Sequence, residues 1–492
     1  LGKLSLLSAL VLDHTVAGDQ AVAQLRGRVA MRVLSLVDTR ITDQAAASIA
    51  TLTGLSSLDL SGQPASDAWV AALRQLPLRE LFWQRSGIGD LAAQLAPLGP
   101  GLTHLDLSTS AVSDRDVAWL AQATNLRELA LAETDLDGPL LVHLRNRTTL
   151  RGLDLSRTAV SAAHIDPVIQ SCPELRMVDL GETNAGDSTA RAIWQLAHVA
   201  MVRLDAAPIT DAGLEGLAQA QALRELYLSR TEVTDAVASP LSALPRLVGL
   251  GLRRTGITDK TMLVIAQRAG LQILDLGQTA ITASSWRLLR QLPRLEQVYL
   301  DHSSIDHDGI SALATLTNLR VLHLNNTGVG DEDLDALAPL TELTEVSLAE
   351  TRISDAAGPR LQRWPALQLL SVAGNDVTDN LLPPLAKLPL RLLNLSSTAV
   401  ADMQLLGAMP RILQLGINDT AVGVADIAAL AALPQLSHLG IGHNQFGADV
   451  VPALLTLPSL AWVDLSGLNL GKGKRKRAAL LRLRERGITI AE

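Results

Sequence analysis

A chain of 492 residues that is 48% hydrophobic yet only 2% aromatic has to build nearly its whole core from Leu, Ala, Val and Ile. Ordinary globular chains of this length divide into several cores and fill irregular space with Phe and Tyr, so the composition excludes that plan and favours one aliphatic shape repeated in layers. Of 42 basic and 50 acidic side chains, eight and two fall in residues 472 to 492, leaving 34 against 48 for residues 1 to 471, a balance that argues against a nucleic-acid groove along the body.

The N-terminal LGKLSLLSALVL has no basic leader region and no small-residue cleavage site, and its leucines already stand in repeat phase. The chain therefore reads as opening inside a repeat, with its N-terminal cap missing. No apolar run reaches the ~18 residues of a membrane-spanning helix. The single Cys172 excludes an intrachain disulfide framework and any Cys-rich zinc module.

From there the pattern L-x-x-L-x-L-x-x-T-x-I-T-D-x-x-L-x-x-L recurs in twenty copies, with its second leucine position running from Leu10, Leu34 and Leu58 to Val463 at spacings of 22 to 25 residues. The L-x-L segment, such as Leu226-Tyr227-Leu228, has period two and predicts a short strand with leucines inward and Tyr227 outward. Strands of successive coils then stack in parallel. Three residues after the last strand leucine a Thr stands in twelve coils and a Ser in three, where a hydroxyl can satisfy backbone groups of an inward turn. An Asp follows in thirteen coils, including Asp211, Asp235 and Asp259, just before an amphipathic segment. It is expected to be the N-cap of a short helix that covers the outside of the strand layer. Residues 1–471 carry no linker-like stretch and read as one solenoid.

LRELYLSRTEVTDAVASPL, residues 223 to 241, resembles the leucine-rich repeats of bacterial proteins, and the resemblance covers nearly the full chain. It implies an α/β fold: a right-handed leucine-rich-repeat solenoid, or horseshoe, with a parallel sheet on the concave face and short helices on the convex face. It also implies a non-catalytic scaffold holding a partner protein on the concave face, in a bacterial surface or translocated effector protein. Two rivals stay open: an adaptor module of a larger ubiquitin-ligase-like or sensor protein, and a chain with its own hydrolytic or metal-dependent activity. The turn Asn common in the family is present only as Asn375 and Asn444, so no continuous Asn ladder is expected.

In a repeat protein, function is best sought in residues that the repeat does not require. Both tyrosines and one of the two phenylalanines fall at the outward strand position, as Phe82, Tyr227 and Tyr299. Around coils nine to fourteen the outward positions add Arg203, Arg230, Arg253, Arg254, His302 and His323. Tyr and Arg offer large contact area with a polar end, so these nine residues are the candidate partner-binding set, against the alternative of ordinary solvated surface. Coil twelve places Trp286 where Leu is usual, which reads as a filled core slot, and Cys172 takes a core leucine position.

No HExxH, CxxC, G-x-S-x-G or intact phosphate loop is present, so no metal site, cofactor or catalytic set is expected. The sequons at Asn146, Asn325, Asn394 and Asn418 read as accidents of the repeat. At the end, residues 472–492 form a basic segment in which 478 to 486 read as a helix, stopped by Gly487, before a last strand at Ile488-Thr489-Ile490. The run Lys472 to Arg477 has three readings: solvated cap surface, attachment to an anionic membrane or nucleic acid, and a nuclear-import signal.

Overall fold

The computed structural model describes residues 7–471 and 474–491, which fall into two compact units dividing between Leu247 and Val248. In the first unit ten three-residue strands, Ala9–Val11 to Glu225–Tyr227, pair in parallel with like positions opposed, from Leu10 with Leu34 to Val202 with Leu226. In the second, eleven strands, Gly249–Gly251 to Thr489–Ala491, do the same, from Leu250 with Leu274 to Val463 with Ile490. Coils are numbered by these strands, Glu225–Tyr227 lying in coil ten and Gly249–Gly251 in coil eleven. The register follows from the repeat: slipping one residue would turn every central leucine, buried from Leu34 onward, out to solvent.

Each coil then turns at one place. The residue four beyond the central strand residue has positive φ in each of the first twenty coils. Seventeen times it is not glycine, as at His14 (54°), Arg230 (60°) and His443 (58°); three times it is Gly62, Gly374 or Gly467. An L residue held there costs roughly 1–2 kcal/mol. The bend is kept because its N–H extends the ladder to the next coil: Asp38 N donates to the Ser61 carbonyl at 3.0 Å, Arg254 N to Gly277 at 2.9 Å and His302 N to Asn325 at 2.8 Å.

The turn threonines act as their position predicts, whereas the hydroxyl of the turn Ser303 is buried without a hydrogen-bond partner among the described residues. Thr231 Oγ1 donates to the Leu228 carbonyl at 2.6 Å, and Thr255 and Thr327 repeat the bond to Leu252 (2.7 Å) and Leu324 (2.6 Å). Asn375 replaces the hydroxyl with an amide that spans two coils, donating to the Leu348 and Val372 carbonyls at 2.7 and 2.9 Å and accepting Thr351 N–H at 3.0 Å.

Most of the Asp column differs from expectation, although Asp402 caps its own helix as expected, accepting Gln404 N–H at 2.9 Å. In the regular coils the N-cap is the residue before the Asp: Thr210 accepts Ala212 N–H at 3.2 Å and Thr378 accepts Asn380 N–H at 3.3 Å. Asp takes the first helical position, and its carboxylate reaches into the following coil. Asp187 accepts both the N–H and the hydroxyl of Thr210 (2.8 and 2.7 Å), Asp211 those of Thr234 (2.8 and 2.5 Å), and Asp355 those of Thr378 (2.7 and 2.6 Å). One strand spacing, about 4.8 Å, brings the next N-cap within reach of a short side chain. Coil thirteen departs from this: Asp306 stands one residue earlier and caps its own helix, accepting Gly309 N–H at 2.9 Å.

The outer segments are α-helical in coils such as Asp43–Ile49 and Asp187–Trp194, and 3-10 in coils four to six at Gly89–Gly101, Asp114–Gln122 and Pro139–Leu144. Trp286 is fully buried and fills its core slot. Cys172 is buried as well, its thiol donating to the Leu144 carbonyl at 3.2 Å, and burial pushes its pKa up, away from reactive thiolate.

At the C-terminal end the helix runs over Lys474–Glu485, four residues earlier than the leucine spacing predicts, so the basic run from Lys474 belongs to its first turn. Gly487, at φ 80°, turns the chain into the strand Thr489–Ala491. Arg486 donates to the Leu457 carbonyl of the preceding coil at 2.6 Å. Lys472 and the leucines up to Leu6 lie outside the described residues.

Candidate functional site

The sequence-selected residues fall into separate groups on the strand face. In the first unit, strand pairing sets Arg203 beside Tyr227, and the guanidinium lies 4.5 Å from the centre of the Tyr227 ring. Such a cation–π contact at a partly exposed site contributes about 0.5–1 kcal/mol. The Tyr227 hydroxyl donates to Glu225 Oε2 at 3.0 Å, so the ring is held along its own strand. Burial, then the Glu225 charge, raises its pKa and keeps the phenol neutral. Arg230, at the left-handed corner, binds Glu182 at 2.7 Å, and Arg157 joins the same Glu182 at 3.5 Å. Phe82 stands apart in coil four, between the register neighbours Asp59 and Asp106.

Carboxylates stack beside the Arg203–Tyr227 pair. Asp154 and Asp179 are register neighbours, and Arg203 Nε lies 3.9 Å from Asp179. Burial, followed by repulsion from Asp154, pushes the Asp179 carboxyl up to about 6. Burial raises Asp205 too, opposed by the hydrogen bonds it receives from Ser229.

In the second unit, register places Tyr299 against His323, with ring centres 4.8 Å apart and planes at 78°. The Tyr299 hydroxyl donates to Gln297 Oε1 at 3.1 Å, and His323 Nε2 lies 2.9 Å from Glu345 Oε1. Arg253 is tied to Asp301 at 2.7 Å, whose other oxygen accepts Asn325 N–H at 2.9 Å. Arg254 and His302 occupy left-handed corners, exposed at the rim of the strand face.

Single-sequence reasoning missed a depression of about 240 Å³ in coils seventeen to twenty. It forms where Gly416 and Gly440 replace outward side chains; a Cβ on Gly416 would meet Asn394 Oδ1 at 2.6 Å. His438 stacks on Trp462 along one wall, with ring centres 6.0 Å apart, and Asp464 closes one end. The consecutive glycines were the available signal.

Among the described residues no group of three or more His, Cys, Asp or Glu is placed to hold a metal ion, and no helix is long and apolar enough to cross a membrane. What the strand face offers is pre-ordered aromatic rings flanked by paired charges, which suits recognition of another surface.

Residues 315–338, one coil, match the family model described as Leucine Rich repeat. No curated protein matches the chain. Among solved structures, an internalin of Listeria monocytogenes is 19% identical, with 76% of this chain and 88% of that one covered and a TM-score of 0.42. A plant peptide hormone receptor is 15% identical over 99% and 89%, with a TM-score of 0.40. A repeat protein of Leptospira interrogans is 16% identical over 90% and 92%, with a TM-score of 0.38. The fold itself rests on the repeat and register above.

Proposed function

We propose that this leucine-rich-repeat chain is a non-catalytic scaffold that holds a partner protein against the outward face of its strands, as a bacterial surface or translocated binding protein. The observation that carries the reading is the state of the two tyrosines. Each hydroxyl is bonded within its own strand, at 3.0 Å for Tyr227 and 3.1 Å for Tyr299, while the ring stays part-exposed beside Arg203 or His323. A ring ordered before contact gives up little conformational entropy on binding, which is what a hot spot needs.

The test is affinity capture with the intact chain and with a Tyr227→Ala, Tyr299→Ala variant of unchanged thermal stability. Proteins retained by the wild type are expected to bind the variant at least tenfold more weakly, since truncating a hot-spot aromatic costs about 2 kcal/mol or more. Equal affinity for every captured protein would overturn the reading.

A further inference from the structure

On its entry side the strand face of the first unit is edged by the residue two before each central strand residue. In coils four to ten this position reads Arg79, Thr103, Arg127, Arg151, Arg176, Ala200 and Arg224. Backbone bonds hold them in line: Arg127 N donates to the Thr103 carbonyl, Arg151 N to Arg127 and Arg176 N to Arg151, each at 2.7 Å. Three guanidiniums thus start from successive coils, about 4.8 Å apart, with one more beyond each gap. All five arginines are exposed.

Their surroundings leave them unneutralised. Arginines on the strand face of the unit and at its left-handed corners find carboxylates: Arg85 binds Asp38, Arg157 and Arg230 share Glu182, and Arg203 faces Asp179. None of the five forms an ion pair among the described residues. The nearest carboxylates in sequence are engaged elsewhere, Glu80 and Glu128 flanking His104 at 3.6 and 3.7 Å and Glu225 accepting from Tyr227. Glu174, two residues before Arg176, forms no ion pair with the row. In a chain of net charge −8 such a row is not a by-product of general basicity. Toward coils four to six it opens into a hollow of about 580 Å³ whose polar lining comes from Arg74, Arg79, Thr103, Asn125, Arg127 and Thr149 and whose remaining wall is Leu, Gly and Pro, including Pro77 and Pro97. Asn125 and Thr149 are internal braces there, donating to the Pro100 and Leu126 carbonyls at 2.8 Å, so the hollow presents guanidinium to a ligand.

We infer that this arginine row docks an extended acidic peptide segment of a partner protein. Guanidinium forks match carboxylates in bidentate pairs. The row is one residue wide, and the strand face next to it carries Asp106, Glu133, Asp154, Asp179 and Glu182, so a duplex nucleic acid would overlap carboxylates. A single nucleic-acid strand would need aromatic stacking platforms, and the row has none. Arg224 ends the row two residues from the centre of the Tyr227 strand, so an acidic segment would continue from a partner held there. In that respect the inference rests on the strand-face reading.

The experiment measures fluorescence anisotropy of labelled decaglutamate, a ten-residue thymidine oligonucleotide and a heparin fragment of similar charge with the full chain. Decaglutamate is expected to bind most tightly at equal salt. The combined Arg127→Gln, Arg151→Gln, Arg176→Gln variant is expected to weaken it at least tenfold, in keeping with several exposed charge pairs removed at once. Unchanged affinity in that variant, or tighter binding of oligonucleotide or heparin than of decaglutamate, overturns the proposal. Should the variant fail to fold, a photo-crosslinking decaglutamate on the wild type must label the coils from Arg79 to Arg224, and labelling elsewhere overturns it. Tyr227→Ala is expected to leave decaglutamate binding intact. If the tyrosine variant keeps every partner while the row still binds decaglutamate, the strand-face reading fails and the row stands.

Discussion

Carboxylates in the helix corners of coils fourteen and fifteen and those on the strand face of coils seven and eight meet opposite fates. Asp331 and Asp355 each receive an N–H and a hydroxyl from the following coil, at 3.1 and 2.6 Å from Ser354 and at 2.7 and 2.6 Å from Thr378. Burial works against the Asp355 charge, yet the bonds from Thr378 and Asn380 hold its carboxyl below the ordinary range. On the strand face the coil after Asp154 presents another carboxylate, Asp179, and burial with that repulsion raises the latter. In a stacked repeat, then, burial lifts a carboxyl unless the neighbouring coils supply enough donors to offset it.

The largest effect that could break this comparison is at Asp179. Its folded-state pKa, about 6, lies above the 3.8 of the free side chain, so the folded chain holds the proton more tightly and stability falls as pH rises through that window. Asp179→Asn keeps the bond from Gly181 N–H and removes the charge, so it is expected to stabilise at pH 7.5 by up to about 3 kcal/mol. The gain should vanish near pH 4, and urea denaturation at the two pH values measures it. A variant no more stable than wild type at pH 7.5 contradicts the strained stack.

Asp355→Ala comes next, with an expected loss of about 1.5 kcal/mol at pH 7 from the two vacated bonds at Thr378. The sign with pH is reversed. A carboxyl held low contributes above its unfolded pKa and loses that contribution as pH falls through the folded value, so the gap between variant and wild type should close in acid. The smallest effect is at Asp67, which opens the α-helix Asp67–Leu73 at the same repeat position; the matching residue of the next coil is Gly89, which has no hydroxyl, and Ile88 caps without a side-chain bond. Asp67→Ala should cost only about 0.5 kcal/mol, the worth of a charge at a helix N-terminus. A loss equal to that of Asp355→Ala in the same urea titration would show that the aspartate serves its own helix rather than its neighbour.

Much of the fold was legible in the sequence because one coil is a local object: leucine spacing, strand period and turn hydroxyl all fall within 24 residues. Relations between coils were harder to see. The bond from Asp355 to Thr378 crosses 23 residues, and within a single repeat Asp looks like an N-cap. The left-handed corner was hidden because Arg, Glu and His occupy it far more often than Gly, their strain offset by the ladder bond to the next coil. On the strand face the outward rings were visible as rare residues in a free position. Their partners were not, since Glu225 under Tyr227 and Glu345 beside His323 look like any solvated charge.

The left-handed corner also governs where the chain tolerates a change of length. Coil seven carries one extra residue, the coils of Leu58 and Leu370 carry one fewer and that of Leu393 two fewer, yet the corners that follow, at Glu182, Arg85, Ser397 and Asp419, all keep positive φ. The differences are absorbed on the outer side, as in the longer helix Ala162–Ser171. Insertions and deletions are thereby confined to one flank of each coil. That flank is where a loop or a whole second domain can be grafted while the strand face keeps its register.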